Sequence, residues 1–187
     1  MLKNDRWIKE MSLQHEMISP FEERQVKKGV ISYGLSSYGY DIRLADEYKI
    51  FKLNSNDTLD PKNIPAKAFE DYKGEACIIS AHSFILARSL EYFKIPRQVL
   101  ALCLGKSTYA RLGVIVNVTP LEPEWEGYIT MEISNTSPAA VKVYSREGIA
   151  QLVFLESSSP CLVSYRDRQG QYQAQKEIRL PPRVRNG

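Results

Sequence analysis

Residues 127–135, GYITMEISN, alternate without a break: Ile129, Met131 and Ile133 are apolar, Thr130, Glu132 and Ser134 polar. A period of two marks a strand with one buried face and one wet face. Similar β-rich runs occur in ACIISAHSFILARSL (76–90), LGVIVNVTP (112–120), AAVKVYS (139–145), GIAQLVFLE (148–156) and CLVSYR (161–166). Gly, Pro, Asn and Ser punctuate them. Short strands at this spacing predict a mainly β chain, an antiparallel barrel or jelly roll rather than alternating β/α units. Elsewhere the pattern changes. Asn4-Asp5 followed by Trp7, Ile8 and Met11 predicts a short amphipathic helix with a polar cap, which Pro20 limits. IPRQVLALCLG (95–105) suggests a helical turn after Pro96, and STYAR (107–111) a short helix with Ser107 as N-cap and Gly113 just past its end. Residues 54–74 read as a long surface excursion, and TPLEPEWEG (119–127) as a rigid, proline-bounded loop.

A length of 187 residues with 43% hydrophobic and 25% charged positions suits one globular domain spanning 1–187. No apolar run approaches the roughly 18–20 residues of a membrane span. The charged start MLKNDRWIKEMSLQHEM lacks the apolar stretch of a signal peptide. The three cysteines, Cys77, Cys103 and Cys161, form no C-x-x-C, which suggests reduced thiols in a cytoplasmic protein. The net charge of +3 is uneven: residues 165–187 carry +4 and residues 1–164 carry −1. A basic tail of this kind is either a solvated end or a flap that closes on an anion.

The chemistry is narrowed mostly by exclusion. Gly105-Lys106-Ser107 looks like the end of a P-loop, but the pattern needs a glycine at position 100, which is Leu100. A helix beginning at Ser107 would instead turn backbone N–H groups toward an anion, with Lys106 before it and Arg111 one turn on. Histidines His15 and His82 lie far from any cysteine pair, and neither H-E-x-x-H nor the zinc deaminase signature is present, so no zinc site is expected. A G-x-S-x-G elbow is absent too. What remains is carboxylate, hydroxyl and guanidinium chemistry. Glu132, flanked on its own face by Thr130 and Ser134, is either a solvent-facing strand residue or a carboxylate in a polar pocket able to transfer protons. Periodicity does not choose between them. Trp125 reads as loop packing in preference to ligand stacking, and Asp41 as a structural loop carboxylate.

With these residues in view, SSYGYDIR (36–43), LGKSTYARLGVIVNVTPLEPEWEG (104–127), ITMEISN (129–135), GIAQLVFL (148–155) and SYRDRQGQYQAQK (164–176) resemble the dCTP deaminase family of the dUTPase-like superfamily. The resemblance runs from about residue 3 to 181. It implies a distorted β-barrel or jelly roll and zinc-independent deamination of dCTP to dUTP and ammonia, supplying dUTP toward dUMP and dTTP synthesis. Glu132 falls on the family's proton-transferring carboxylate, with Ser107 and Arg111 as its aligners. Lys106, Ser107, Thr108, Tyr109, Ala110 and Arg111 match the segment that grips the nucleotide. Thr130 and Met131 match the strand that reads the base edge, and Gln151, Tyr165 and Gln175 match further contacts. The resemblance also implies that the 165–187 tail folds over the triphosphate, that Mg2+ arrives on the triphosphate oxygens, and that sites lie between the subunits of a homotrimer. dTTP is the inhibitor it suggests. The nearest alternative is a bifunctional deaminase/dUTPase yielding dUMP and pyrophosphate, although Leu121–Trp125 contains no aspartate. A nucleic-acid-binding module using the basic tail is a weaker alternative, because the basic residues are few and interleaved with glutamines.

Overall fold

The computed structural model describes residues 1–53 and 56–181. Residues 54–55 of the expected excursion, residues 182–187 of the tail and the Ala66 side chain lie outside that description. The chain opens with α1 (Asp5–His15), β1 (Ile18–Ser19), β2 (Gly34–Ser36) and the long β3 (Gly39–Phe51). Then come β4 (Phe69–Lys73), β5 (Ala76–Ile79), β6 (Phe84–Lys94) and β7 (Val99–Gly105). The last part contains α2 (Ser107–Ala110), β8 (Val114–Asn117), β9 (Glu126–Asn135), β10 (Val141–Tyr144) and β11 (Gly148–Glu156).

The main sheet runs β7-β11-β3-β6-β9-β8, with β2 and β4 also paired to β3 and β1 to β6; β5 and β10 form a separate two-stranded ribbon. The two ends of this path approach each other. A Cβ on Gly105 of β7 would lie 3.6 Å from Val116 of β8, although no ladder joins the two strands. The sheet is therefore a nearly closed barrel with one seam, and α2 is the connection that crosses it. The mainly β, barrel-like architecture expected from the sequence is the one observed.

Local chemistry explains most elements. Asn4 caps α1 by accepting from the Trp7 N–H at 3.1 Å, and Ile8 on the inner face is fully buried. In β9, Ile129, Met131 and Ile133 point into the core while Thr130, Glu132 and Ser134 remain half-buried on the other face. Burying three such apolar side chains stabilises the barrel by about 5–9 kcal/mol before entropy is counted. Asn135 closes the strand: its Nδ2 donates to the carbonyls of Ile79, Ser80 and Ala139 at 2.7–3.1 Å, and its Oδ1 accepts from Ser137. Gly113 has φ +79° and its carbonyl accepts from Thr136, so the turn after α2 needs a residue without a Cβ.

Several expectations change. CLVSYR is not a strand; residues 161–166 are bends and turns leading into the tail. The segment after Pro96 is a single turn that enters β7 at once. In the 54–74 stretch, residues 69–73 form β4, hydrogen-bonded to β3. The N-cap of α2 is Lys106 and makes no side-chain cap bond, so Ser107 is the first helical residue. The long β3 escaped notice because Asp41, Arg43, Asp46, Glu47 and Lys49 dilute its apolar content, although Tyr40, Ile42 and Leu44 are fully buried.

Candidate active site

β9 supplies the floor of a cavity of about 960 Å3. Thr130 and Glu132 face it. The 119–125 loop forms one wall, with Glu122 and Trp125, and the tail forms another, with Tyr165, Tyr172, Gln175 and Arg179. Its far end is apolar, lined by Phe69, Phe84 and Leu86. Glu132 bonds no other side chain among the described residues, and burial, opposed only by a bond from its own backbone N–H, pushes its carboxyl above the usual carboxylate range. Glu132 thus lines a cavity instead of facing open solvent. Cys103 lies nearby, and burial followed by the charge of Glu132 pushes its thiol up to about 12, which favours the protonated form.

The backbone of β9 also faces this cavity. Tyr128 donates its N–H to the Gln175 carbonyl at 3.0 Å, and Ile129 donates in the opposite direction, to Ser89 Oγ at 2.8 Å. Direction alternates along an antiparallel strand, so the N–H and C=O of Thr130 point the same way as those of Tyr128. The β8 ladder ends at the Asn117–Glu132 pair, and among the described residues no backbone bond from the tail reaches beyond residue 128. The main chain of Thr130 thus presents one donor and one acceptor in the gap between β8 and the tail. Met131, placed by the sequence among the base-edge residues, turns its side chain fully into the core and contributes none of it to the cavity.

The tail is fastened in several places. Gln175 is buried, and its Nε2 donates to the Tyr128 carbonyl at 2.6 Å and to Thr130 Oγ1 at 3.2 Å. Trp125 packs at the loop base, as the sequence suggested, and its indole N–H donates to the Tyr172 carbonyl at 3.0 Å. Tyr165 donates its N–H to Pro123 O at 3.0 Å, and its hydroxyl accepts from the Tyr172 N–H at 3.0 Å. Arg97 joins the loop to the tail by bonding Glu124 at 2.5 Å and Asp167 at 2.8 Å. A backbone bond from Ser164 and the Arg97 guanidinium hold the Asp167 carboxyl down at about 2. Arg168 pairs with Glu122. The tail cations Arg166 and Arg168 thus face the glutamate-rich loop, which accounts for a basic tail on a protein of small net charge.

The remaining sequence-predicted residues fall elsewhere. Ser107, Thr108, Ala110 and Arg111 are exposed on α2, at the barrel seam, and do not line the Glu132 cavity of their own chain. The expectation that Ser107 and Arg111 align Glu132 is therefore not met within one chain. Tyr109 turns its ring into the core, and its hydroxyl accepts from the Tyr144 N–H, so only its main chain is left to face a ligand. Lys106 and Gln151 meet at Asp41. Lys106 Nζ donates to Asp41 Oδ2 at 2.6 Å, and Gln151 Nε2 donates to Asp41 Oδ1 at 3.1 Å and to Ser36 Oγ at 3.0 Å. Gly39 leaves the room, since a Cβ there would sit 3.0 Å from Gln151 Cγ.

Sequence reasoning missed two groups. Asp41 is a buried strand carboxylate with three side-chain donors, not a loop residue bonding local backbone. Glu91, fully buried, accepts from the Arg43 N–H at 3.0 Å and from Arg43 Nε at 2.6 Å. Next to it Ser89 Oγ donates to the Glu91 carbonyl, and this cluster fixes β9 just before Thr130. The signal for Asp41 was its place between the apolar Tyr40 and Ile42; for Glu91 no sequence signal existed. No group of three or more His, Cys, Asp or Glu side chains suited to a metal ion occurs among the described residues. No described helix is long and apolar enough to cross a membrane.

Comparison with known proteins extends this picture. A family model described as dCTP deaminase-like matches residues 1–157. The dCTP deaminase of Pseudomonas syringae pv. tomato is 57% identical over 184 residues, covering 96% of this chain and 98% of that one. That of Ralstonia pickettii has the same identity over the same spans. The crystal structure of 2'-deoxycytidine 5'-triphosphate deaminase from Agrobacterium tumefaciens aligns with TM-score 0.63 at 12% identity, over 83% of this chain and 47% of that one. This chain spans about half of that solved chain, and the likeness is one of fold. A match over most of its length, together with relatives at more than half identity, shows that this chain belongs to the dCTP deaminase-like family.

Proposed function

We propose that this protein hydrolyses dCTP to dUTP and ammonia, with Glu132 as the proton carrier. The observation that carries this reading is a half-buried carboxylate with no side-chain partner and a raised pKa, beside an unpaired backbone donor and acceptor at Thr130. Raising the pKa of a carboxyl makes its carboxylate a stronger base, as proton transfer requires. It takes a proton from water, whose oxygen bonds to C4 of the cytosine ring. The same carboxyl passes that proton to ring N3, then carries the second proton from the new C4 hydroxyl to the amino group, so that the C4=O forms, the C4–N4 bond breaks and ammonia leaves. Thr130 C=O suits the cytosine amino group as acceptor, and its N–H suits a ring or carbonyl acceptor. Carboxylate chemistry of this kind calls on no zinc.

The phosphate side needs donors, and these sit at the seam: the exposed N–H groups at the start of α2, with Lys106 and Arg111. We place a second copy of the chain there, so that its Ser107 and Arg111 reach Glu132 of the first. Exposed Leu104, Leu112 and Ile115 on β7, the turn after α2, and β8 support this. A cyclic trimer is the closed assembly that uses this heterologous contact three times. The tail covers the nucleotide, Mg2+ comes with its triphosphate, and dTTP competes for the same place. The setting is the cytoplasmic nucleotide pool, and neither nucleic acid nor a membrane is required.

The test is product analysis with purified protein, dCTP and magnesium, following ammonia, dUTP, dUMP and pyrophosphate together. Ammonia and dUTP without dUMP are expected. dUMP and pyrophosphate would establish the bifunctional reaction instead, and no ammonia at all would end the deaminase reading.

A further inference from the structure

The Asp41 cluster joins the α2 half of the proposed site to the interior of the barrel. The Asp41 side chain is 3% exposed and that of Lys106 13%. A buried charge is tolerated when it is paired and hydrogen-bonded, and the Asp41 carboxylate is both. Asp41 Oδ2 accepts from Lys106 Nζ and from Gln25 Nε2, and Oδ1 accepts from Gln151 Nε2. Lys106 is at the same time the N-cap of α2, and its own N–H donates to the Ile149 carbonyl at 3.0 Å. One carboxylate therefore holds both side chains that flank the phosphate half of the proposed site. Because the acceptor-only carboxylate and Ser36 take both Nε2 hydrogens, Gln151 keeps its Oε1 as the atom facing away.

We infer that Asp41 is a positioning residue for the nucleotide phosphates: it holds the Lys106 ammonium in place just before α2, leaving two N–H groups to donate to a phosphate. This deepens the deaminase reading and rests on it. A lysine without such a partner would swing outward on its flexible stem and lose side-chain entropy again on binding. Asp41 touches neither the base nor the attacking water, so its influence falls on binding of the triphosphate rather than on the proton transfers of Glu132.

Steady-state deamination by the full chain tests this with four proteins: wild type, Asp41→Asn, Lys106→Met and the double variant. Asp41→Asn keeps the shape and removes the charge. Its KM for magnesium dCTP is expected to rise roughly 10- to 100-fold, the loss typical of a charge-assisted contact, with kcat within about threefold of wild type. In the Lys106→Met background the same change should raise KM by less than about threefold, because the group it acts through is gone. A residue that merely supports the fold would lower the melting temperature and kcat and leave KM alone. An unchanged KM, or the same increase in both backgrounds, overturns the inference. If Asp41→Asn does not fold, wild-type lysine acetylation followed by mass spectrometry decides. Lys106 should label far more slowly than exposed Lys9 and Lys73, and equal rates overturn the pairing. Wild type that turns over no dCTP overturns the deaminase reading and this inference with it, whereas normal wild-type turnover with an unaffected Asp41→Asn overturns only the inference.

Discussion

Replacing Gln175 with leucine separates closure of the tail from integrity of the barrel. Leucine keeps most of the buried volume and removes the carboxamide. Two hydrogen bonds disappear, at 2.6 Å to the Tyr128 carbonyl and 3.2 Å to Thr130 Oγ1. At about 0.5–1.5 kcal/mol each, the docked tail loses about 1–3 kcal/mol. That corresponds to an increase of about 5- to 150-fold in the population of the undocked tail. Both acceptors lie on the cavity side of β9, away from its core-facing side chains, so the loss belongs to local opening. Hydrogen exchange reads it directly. The Tyr128 and Ala174 amides, which donate to the Gln175 and Glu126 carbonyls, should exchange faster by that factor, while the Ile129 amide, bonded to Ser89 Oγ, should not change. With dCTP the variant should show a higher KM, rising as the inverse of the docked fraction. Unchanged exchange at Tyr128 and Ala174 would refute the claim that Gln175 holds the tail. Equal acceleration at Ile129 would show that the barrel itself had opened.

Glu132→Gln should lower kcat by at least about 100-fold, the usual scale of general acid–base catalysis, and leave nucleotide binding by calorimetry nearly intact; near-normal turnover would remove Glu132 from the mechanism. The pH profile follows from the raised pKa. A base must be ionised, so the acid limb of kcat/KM should lie above the ordinary carboxylate value of about 4.3, and a limb at or below it contradicts burial as the cause. Stability changes with pH for the same reason. The folded state holds the Glu132 proton more tightly than the unfolded state, so this group costs stability as pH rises from the ordinary to the raised pKa. Glu132→Gln should therefore melt higher than wild type at neutral pH, with the difference vanishing in acid. Leu104→Glu, at the exposed seam, should yield a smaller species by light scattering with turnover lost and the barrel's circular dichroism retained; an active monomer would exclude a site shared between copies.

The sequence by itself determined the mainly β character, the α1 cap, the period of β9 and the turn at Gly113, because each follows from side chains within a few residues of one another. It also marked Glu132, Thr130 and Gln175, all of which face or border the cavity. Only the tertiary structure decided the environment of each. The face of β9 that carries Glu132 is wet or dry according to whether the tail and the 119–125 loop cover it, and those segments return through contacts across 46–47 residues. Asp41 became a buried hub because β3 places it against side chains 65 and 110 residues away. Tyr109 and Met131 sit inside a motif yet turn into the core, since a motif fixes neighbours along the chain and not the direction of each side chain. Ser107 and Arg111 lie at the seam because the barrel stops short of closing between β7 and β8, a property of how all the strands twist and pair that no local stretch encodes.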